Sequence, residues 1–324
     1  MDKEFNVREF YIAITNRCNL ACIMCTTGSG RHNVKDELTA EEWKVLISNL
    51  SKDCLIQRVT FGGGEPLLRK DLSEIVKFAL SAGSEEVNII SNGTLLNRGF
   101  MQQFDEGQLS RLGINISIDG LEYDHDYIRG HGVFKRMIRN FEFLYYDFFK
   151  PGRIKDLVVS SVLMQENFAH YIDFLDFIKR YGGVRVDIQP VIPNNEICYQ
   201  KGDFRLSEKE KNKLAEIIDY LLQNINISAR PPELIRAYSR YFENNLEKSN
   251  RCSTGYESLN ITFDGYPYLC GKQIMMPLHK VGFKDVFYSR QYQDELERIK
   301  SCRQPCLQGL HLNPDEGYGQ AEGL

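Results

Sequence analysis

The first two-thirds of the chain repeat one unit, a strand-like run followed by a helix-like one. Phe10, Ile12 and Ile14 alternate with Tyr11 and Ala13, as a strand requires. Thr39 and Glu42 form a capping box before a helix bearing Trp43, Leu46, Ile47 and Leu50. Val59 and Phe61 end a second strand, which runs into Gly62-Gly63-Gly64-Glu65-Pro66. Leu72, Ile75, Val76, Ala79 and Leu80 mark one helical face, stopped by Gly83. A third strand is expected at 87–91, and a fourth on Leu112, Ile114, Ile116 and Ile118. Helices near 133–149 and 167–181 bracket a fifth strand near 156–163, and Val184, Val186 and Ile188 carry a sixth. This order predicts an α/β fold of parallel strands joined by right-handed crossovers. Six units are fewer than the eight of a closed TIM barrel, so a partial or open (β/α)6 barrel is expected over residues 1–200.

The alternation also sorts side chains by face. Asn115, Ser117 and Asp119 on strand four and Arg185, Asp187 and Gln189 on strand six share the side opposite the apolar residues. With the apolar side against the helices, they line a polar interior where a substrate would sit; solvated edge residues are the alternative. After Pro193 the pattern changes. Residues 201–250 read as a helical connection, with helical spacing from Leu206 to Asn224 and again from Glu233 to Leu246. Over 251–324, Leu259, Ile261 and Phe263 alternate, Asp264-Gly265 makes a hairpin turn, and Tyr266 to Leu269 returns. This reads as a small cysteine-rich α+β domain with a C-terminal tail.

No apolar stretch approaches the roughly 18 residues that span a bilayer, and Met1 to Phe10 lack a signal-peptide core, so the expected compartment is the cytoplasm, with no membrane partner. A net charge of −4 argues against a nucleic-acid partner. Nine cysteines in such a chain point to metal or catalysis rather than disulfides. Cys18, Cys22 and Cys25 form C-x3-C-x2-C after the first strand. Three thiolates on a [4Fe–4S] cluster leave one iron with an open position, able to bind a small molecule and pass it an electron. A zinc site with a distant fourth ligand, or three unrelated thiols, is the alternative.

Together with the glycine-rich turn after strand two, Cys18-Asn19-Leu20-Ala21-Cys22-Ile23-Met24-Cys25 resembles the signature loop of the radical S-adenosylmethionine (SAM) enzymes. Gly63-Gly64-Glu65-Pro66 resembles that family's motif for the methionine amino group. The resemblance runs from about residue 8 to residue 190. It implies a (β/α)6 partial barrel in which the methionine amine and carboxylate chelate the open iron. One electron then cleaves SAM, and the 5′-deoxyadenosyl radical takes a hydrogen atom from substrate. Carried over singly, Met24 takes the place of the residue against adenine, and Ser91 and Asn92 resemble ribose-side contacts. Ser117 and Asp119 lie in Ser-Ile-Asp-Gly, which looks like the fourth-strand motif; Arg129 resembles the arginine on the methionine carboxylate. A flavodoxin- or ferredoxin-type reductant is implied as well.

Cys252, Cys270, Cys302 and Cys306 form a second set, with Gly265 five positions before Cys270. It resembles the Twitch domain, the shortened relative of SPASM extensions, and implies one auxiliary [4Fe–4S] cluster beside the SAM-binding one; a four-thiolate zinc knot is the alternative. Cys54, between a helix and a strand, reads as a buried apolar residue, and His125, near Arg129, as part of the SAM loop or a cap of it. Cys198 follows strand six, where barrel enzymes place active-site loops. Its thiol suits donation of a hydrogen atom to a substrate radical; an ordinary loop cysteine is the other reading. Enzymes with this extension modify ribosomally made peptides, or oxidise or epimerise sugars and aminocyclitols. The early first strand leaves no room for an N-terminal leader-peptide domain, yet peptide modification is placed first and a sugar or aminocyclitol reaction second. A non-catalytic iron–sulfur electron carrier and a zinc-binding interaction protein are the readings from other classes.

Overall fold

The computed structural model describes residues 5–26, 28, 37–192, 204–243, 252–302 and 307. It is a mixed α/β fold built on a parallel sheet. The strands are β1 (Glu9–Thr15), β2 (Arg58–Gly63), β3 (Glu86–Ser91), β4 (Leu112–Ser117), β5 (Asp156–Leu163), β6 (Arg185–Pro190), β7 (Ser258–Ile261), β8 (Pro267–Leu269) and β9 (Lys272–Gln273). Their spatial order is β6-β5-β4-β3-β2-β1-β7-β8-β9, and every pair from β6 across to β7 is parallel. Sequential parallel neighbours need helical crossovers, and α1 (Ala40–Asp53), α2 (Leu72–Ser81), α6 (Val133–Leu144) and α7 (Tyr171–Lys179) lie between successive strands of β1–β6. The short helices α3 (Arg98–Met101), α4 (Glu106–Leu109) and α5 (Glu122–Arg129) lie between them in chain order.

The two faces of the sheet differ as the alternation predicts. Phe10, Val59, Ile89, Ile114, Val159 and Val186 are buried under the helices. On the other face Tyr11, Thr60, Asn88, Asn115, Ser160 and Asp187 are half-buried, and Arg185 and Gln189 are exposed. A face that keeps water access along six neighbouring strands can receive a polar molecule.

The helix expected near 133–149 does not run through as one α-helix: α6 ends at Leu144, and Tyr145–Phe149 form a π-helical turn. The wider turn accommodates consecutive aromatics while both Tyr145 and Phe148 stay buried. Residues 165–170 form a 3-10 turn ahead of α7. The connecting region gives α8 (Glu208–Gln223), started by a Ser207 capping box, and α9 (Pro232–Phe242). Gly265 turns the β7–β8 hairpin with φ +82°. Although the alternation at 258–269 sets the hairpin apart in sequence, β7 pairs with β1 from Glu9↔Ser258 to Ile12↔Ile261 and extends the main sheet. Without it β1 would be an edge with a row of open N–H and C=O groups. Helices α10 (Phe283–Phe287) and α11 (Arg290–Ser301) follow. No helix of the described residues is long and apolar enough to cross a membrane.

Candidate active site

The loop after β1 carries the first three cysteines, and main-chain bonds fix it to the turn after β2. The Gly64 N–H donates to the Thr15 carbonyl at 2.7 Å and the Glu65 N–H to the Arg17 carbonyl at 2.8 Å. A Cβ on Gly64 would lie 2.0 Å from the Arg17 carbonyl oxygen, so only glycine permits this approach. Gly63 has φ +102° and donates its N–H to the Tyr11 hydroxyl at 2.9 Å. Gly63 is thus packed against β1 and Gly64 against the entry of the cysteine loop.

Glu65 is fully buried. Its Oε1 accepts from the Ser91 hydroxyl at 2.9 Å and the Leu67 N–H at 3.1 Å, and its Oε2 from the Asn92 N–H at 2.8 Å. Burial pushes its carboxyl up, against these hydrogen bonds. A carboxylate offers about four acceptor positions, so with three filled about one remains for a further donor. Ser91 and Asn92 therefore brace Glu65. Asn92 also reaches the cysteine loop, donating from Nδ2 to Asn19 Oδ1 at 2.8 Å, while Asn19 Nδ2 donates to the Thr94 hydroxyl at 2.9 Å.

From the other side comes α5. The Ile23 N–H donates to the Ile128 carbonyl at 3.0 Å, which docks the loop on the end of this helix. Arg129 is next in sequence. Its Nε donates to Asp119 Oδ2 at 2.5 Å, and its Nη1 lies 3.9 Å from Cys22 Sγ. Burial opposes the guanidinium charge, but Asp119 and the Cys22 thiol outweigh it and hold Arg129 protonated. Burial pushes the Cys18 and Cys22 thiols up, and Arg129 pulls both the other way. Asp119 is buried and tied on all sides: its Oδ1 accepts the Val162 N–H at 2.8 Å and its carbonyl accepts Asn167 Nδ2 at 2.7 Å. Its N–H donates to His125 Nδ1 at 3.3 Å. Burial, helped by Arg129, lowers His125 to about 4, so it is a neutral acceptor at pH 7.

Met24 and Ser117 are buried beside these groups in sequence and sheet position, and Cys54 is buried as its place between helix and strand predicts. Cys198 and Cys306 lie outside the described residues. Cys252 precedes β7, Cys270 sits in the β8–β9 turn with φ +43°, and Cys302 caps α11. Three bonds stitch their segments together: the Tyr292 hydroxyl to the Gly255 carbonyl at 2.9 Å, the Tyr256 hydroxyl to the Leu296 carbonyl at 3.3 Å, and Arg298 Nη2 to the Cys270 carbonyl at 2.9 Å. Sequence reasoning passed over Asn19, Tyr11 and Asn167. Tyr11 had a signal, its place on the polar face of β1; Asn167 had none, because its partner Asp119 lies 48 positions away, just beyond β4.

Among the described residues no three His, Cys, Asp or Glu groups are gathered so as to hold one metal ion. Three thiols on one loop, a buried carboxylate and a guanidinium beside the thiols form a donor set that suits an iron–sulfur cluster with an amino-acid ligand. The family model of the radical SAM superfamily matches residues 12–178. The chain belongs to the radical SAM superfamily. Proteins of this superfamily are enzymes that bind SAM and a [4Fe–4S] cluster.

Relatives within the superfamily have diverse names. The chain is 37% identical over 127 residues, 39% of its length, to the Fe-coproporphyrin III synthase of Methanosarcina barkeri, and that match spans 31% of the synthase. It is 24% identical over 265 residues to the probable GTP 3′,8-cyclase of Methanocaldococcus jannaschii, covering 82% of this chain and 85% of that one. Among solved structures, native anSMEcpe with bound AdoMet gives a TM-score of 0.68 at 16% identity, covering 91% of this chain and 84% of that one. Streptococcus suis SuiB bound to SAM gives 0.66 at 14% identity, with 90% and 68% covered. These likenesses show a shared fold.

Proposed function

We propose that this radical SAM enzyme cleaves SAM reductively and modifies a ribosomally made peptide by epimerisation, oxidation or cross-linking. The observation that carries the SAM part is the clamp on the cysteine loop: Gly64 and Glu65 bond its entry, and Arg129 stands beside Cys22. In this reading Cys18, Cys22 and Cys25 hold the cluster. When bound there, SAM supplies a 5′-deoxyadenosyl radical able to take hydrogen from an unactivated C–H bond. Glu65 offers its remaining acceptor position to the methionine ammonium. Arg129 Nη2, which has no partner among the described residues, addresses the carboxylate, with Asp119 fixing the guanidinium plane. Ser117 lies on the same side as a polar contact, and Met24 fills against the adenine.

The peptide part is supported by neighbours of like fold: SuiB has been solved with the precursor peptide SuiA, and anSMEcpe with a Kp18Cys peptide. A small-molecule substrate is the second reading, favoured by the relative named as a probable GTP 3′,8-cyclase that covers 82% of the chain. The reading includes a partial barrel over 1–200, an auxiliary cluster on Cys252, Cys270, Cys302 and Cys306, a cytoplasmic setting with a flavodoxin- or ferredoxin-type reductant, and Cys198 as hydrogen donor if the reaction inverts a centre.

The test is anaerobic reconstitution, iron and sulfide counting, and incubation with SAM and dithionite. About eight irons, for two [4Fe–4S] clusters, and formation of 5′-deoxyadenosine are expected. Cys18→Ala, Cys22→Ala and Cys25→Ala each abolish cleavage; retained cleavage in all three, or zinc in place of iron, overturns the reading.

A further inference from the structure

At the far edge of the parallel strands stands an arginine that the chemistry above does not use. After α8 the chain returns beside β6: Ser228 bridges Val186 in parallel, and the Ala229 N–H donates to the Val186 carbonyl at 2.9 Å. Arg230 follows. Its Nε pairs with Asp187 Oδ1, and the other carboxylate oxygen accepts from Gln189 Nε2 at 3.3 Å. Neither terminal nitrogen of Arg230 has a partner among the described residues.

An ion pair serving only to fasten the segment has little left to fasten. Residues 228–230 are already held by the bridge to Val186, by the Ala229 bond, and by the Ser228 hydroxyl, which donates to the Arg230 carbonyl at 3.0 Å and accepts its N–H at 2.9 Å. Pro231 and Pro232 then stiffen the backbone into α9. The result is a guanidinium fixed through one edge, with its two-nitrogen end open. That end is the one that grips a carboxylate or phosphate with two parallel bonds. The pair is partly withdrawn from water, with 17% of the Arg230 side chain and 21% of the Asp187 side chain exposed, so such bonds are stronger than on an open surface.

Its position ties it to the site. Asp187 registers with Ser160, and Ser160 with Ser117, so the three share one row of the polar face. We propose that Arg230, oriented by Asp187, binds an oxyanion of the substrate, a carboxylate or a phosphate, beside Asp187, which itself stands two strand spacings or about 10 Å across the sheet from Ser117. The proposal rests on the radical SAM reading for calling the bound molecule a substrate; the anion site itself needs no cluster.

The reconstituted protein is titrated calorimetrically with two probes: GTP, and a heptapeptide containing one glutamate, with its glutamine counterpart as control. Tight binding of GTP identifies a phosphate as the anchor group. Preference for the glutamate peptide over the glutamine one identifies a carboxylate. In either case Arg230→Gln weakens binding by about tenfold or more, and Arg230→Lys falls between. The double variant Asp187→Asn with Arg230→Gln, which leaves no charge unpaired, binds as weakly as Arg230→Gln and keeps the fold. Failure of both probes to bind the parent protein, or equal binding by the double variant, overturns the proposal. SAM cleavage is scored separately: a protein that cleaves SAM but binds neither probe loses the anchor alone, and one that binds through Arg230 but leaves SAM intact loses the radical SAM reading alone.

Discussion

Where the strands begin, Arg58 reaches both Glu9 and Glu86, Lys155 joins Glu86, and Arg185 pairs with Asp156. Where the strands finish, Asp119 holds Arg129, Glu65 collects three donors, and three thiols stand on one loop. Both ends gather charge, but in different media. At the first end the cations stay in water, Arg58 keeping 41% of its side chain exposed and Lys155 48%, although their shared partner Glu86 keeps only 9%. At the second both partners are withdrawn, Asp119 with none exposed and Arg129 with 10%. Pairs in water contribute little each and tolerate the loss of a member. Pairs out of water cost several kcal/mol when one member is removed. A parallel sheet thus carries its stability network at one end and its costly, over-tied charges at the other, the end where barrel enzymes place chemistry.

The comparison breaks first at Gly64. Gly64→Ala puts a methyl 2.0 Å from the Arg17 carbonyl oxygen and pushes the cysteine loop away from Glu65. We expect SAM cleavage to fall by about a hundredfold, as misplacement of about 1 Å can do. Cleavage within a factor of a few of the parent would show that the clamp does not set the site. Asp119→Asn comes next. It removes the charge that Arg129 faces and leaves a buried guanidinium uncompensated, for about 3 kcal/mol of stability by urea unfolding. A loss below about 1 kcal/mol, the range of exposed pairs, would erase the distinction between the two ends. Tyr11→Phe is milder. It strands the Gly63 N–H, for roughly 1 kcal/mol, and a double-mutant cycle with Gly64→Ala should show strong coupling because both act on one turn.

The parallel sheet was legible because strands such as β1, β4 and β6 announced themselves by alternation and α1 and α2 by their stripes, and crossovers leave a parallel sheet little choice of order; the short helices α3, α4 and α5 carried no such signal. The Cys18, Cys22 and Cys25 loop was legible because its three ligands are close in sequence. Less visible was what each polar residue does once placed. Ser91 and Asn92 hold Glu65, and His125 and Asn167 hold Asp119. The bonds to Glu65 and from Asn167 join segments 26 to 48 positions apart, and local spacing has no access to them. The pairing of β7 with β1 escaped for the same reason, since it joins residues about 250 positions apart. Arg230 is the sharpest case: one arginine before two prolines, given meaning only by Asp187 from the neighbouring strand.

The smallest effect belongs to the stability end, and its sign is fixed. Burial pushes the Glu86 carboxyl up, but Lys155 and Arg58 outweigh it and hold it below the usual carboxylate range. A carboxylate depressed in the folded state adds stability above its unfolded value of about 4.3, and that stability is lost as pH falls through the folded value. The parent protein should therefore lose roughly 1 kcal/mol from this group on acidification below about pH 5, and high salt should remove part of it at neutral pH. Glu86→Gln should be less stable than the parent at pH 7 by about that amount, and the difference should shrink as pH falls. Its SAM cleavage should match the parent, because Glu86 begins β3 while Ser91, beside Glu65, ends it. A pH-independent difference in urea midpoints would mean that Glu86 acts by packing and not by charge, and the contrast between the two ends would then rest on the C-terminal side alone.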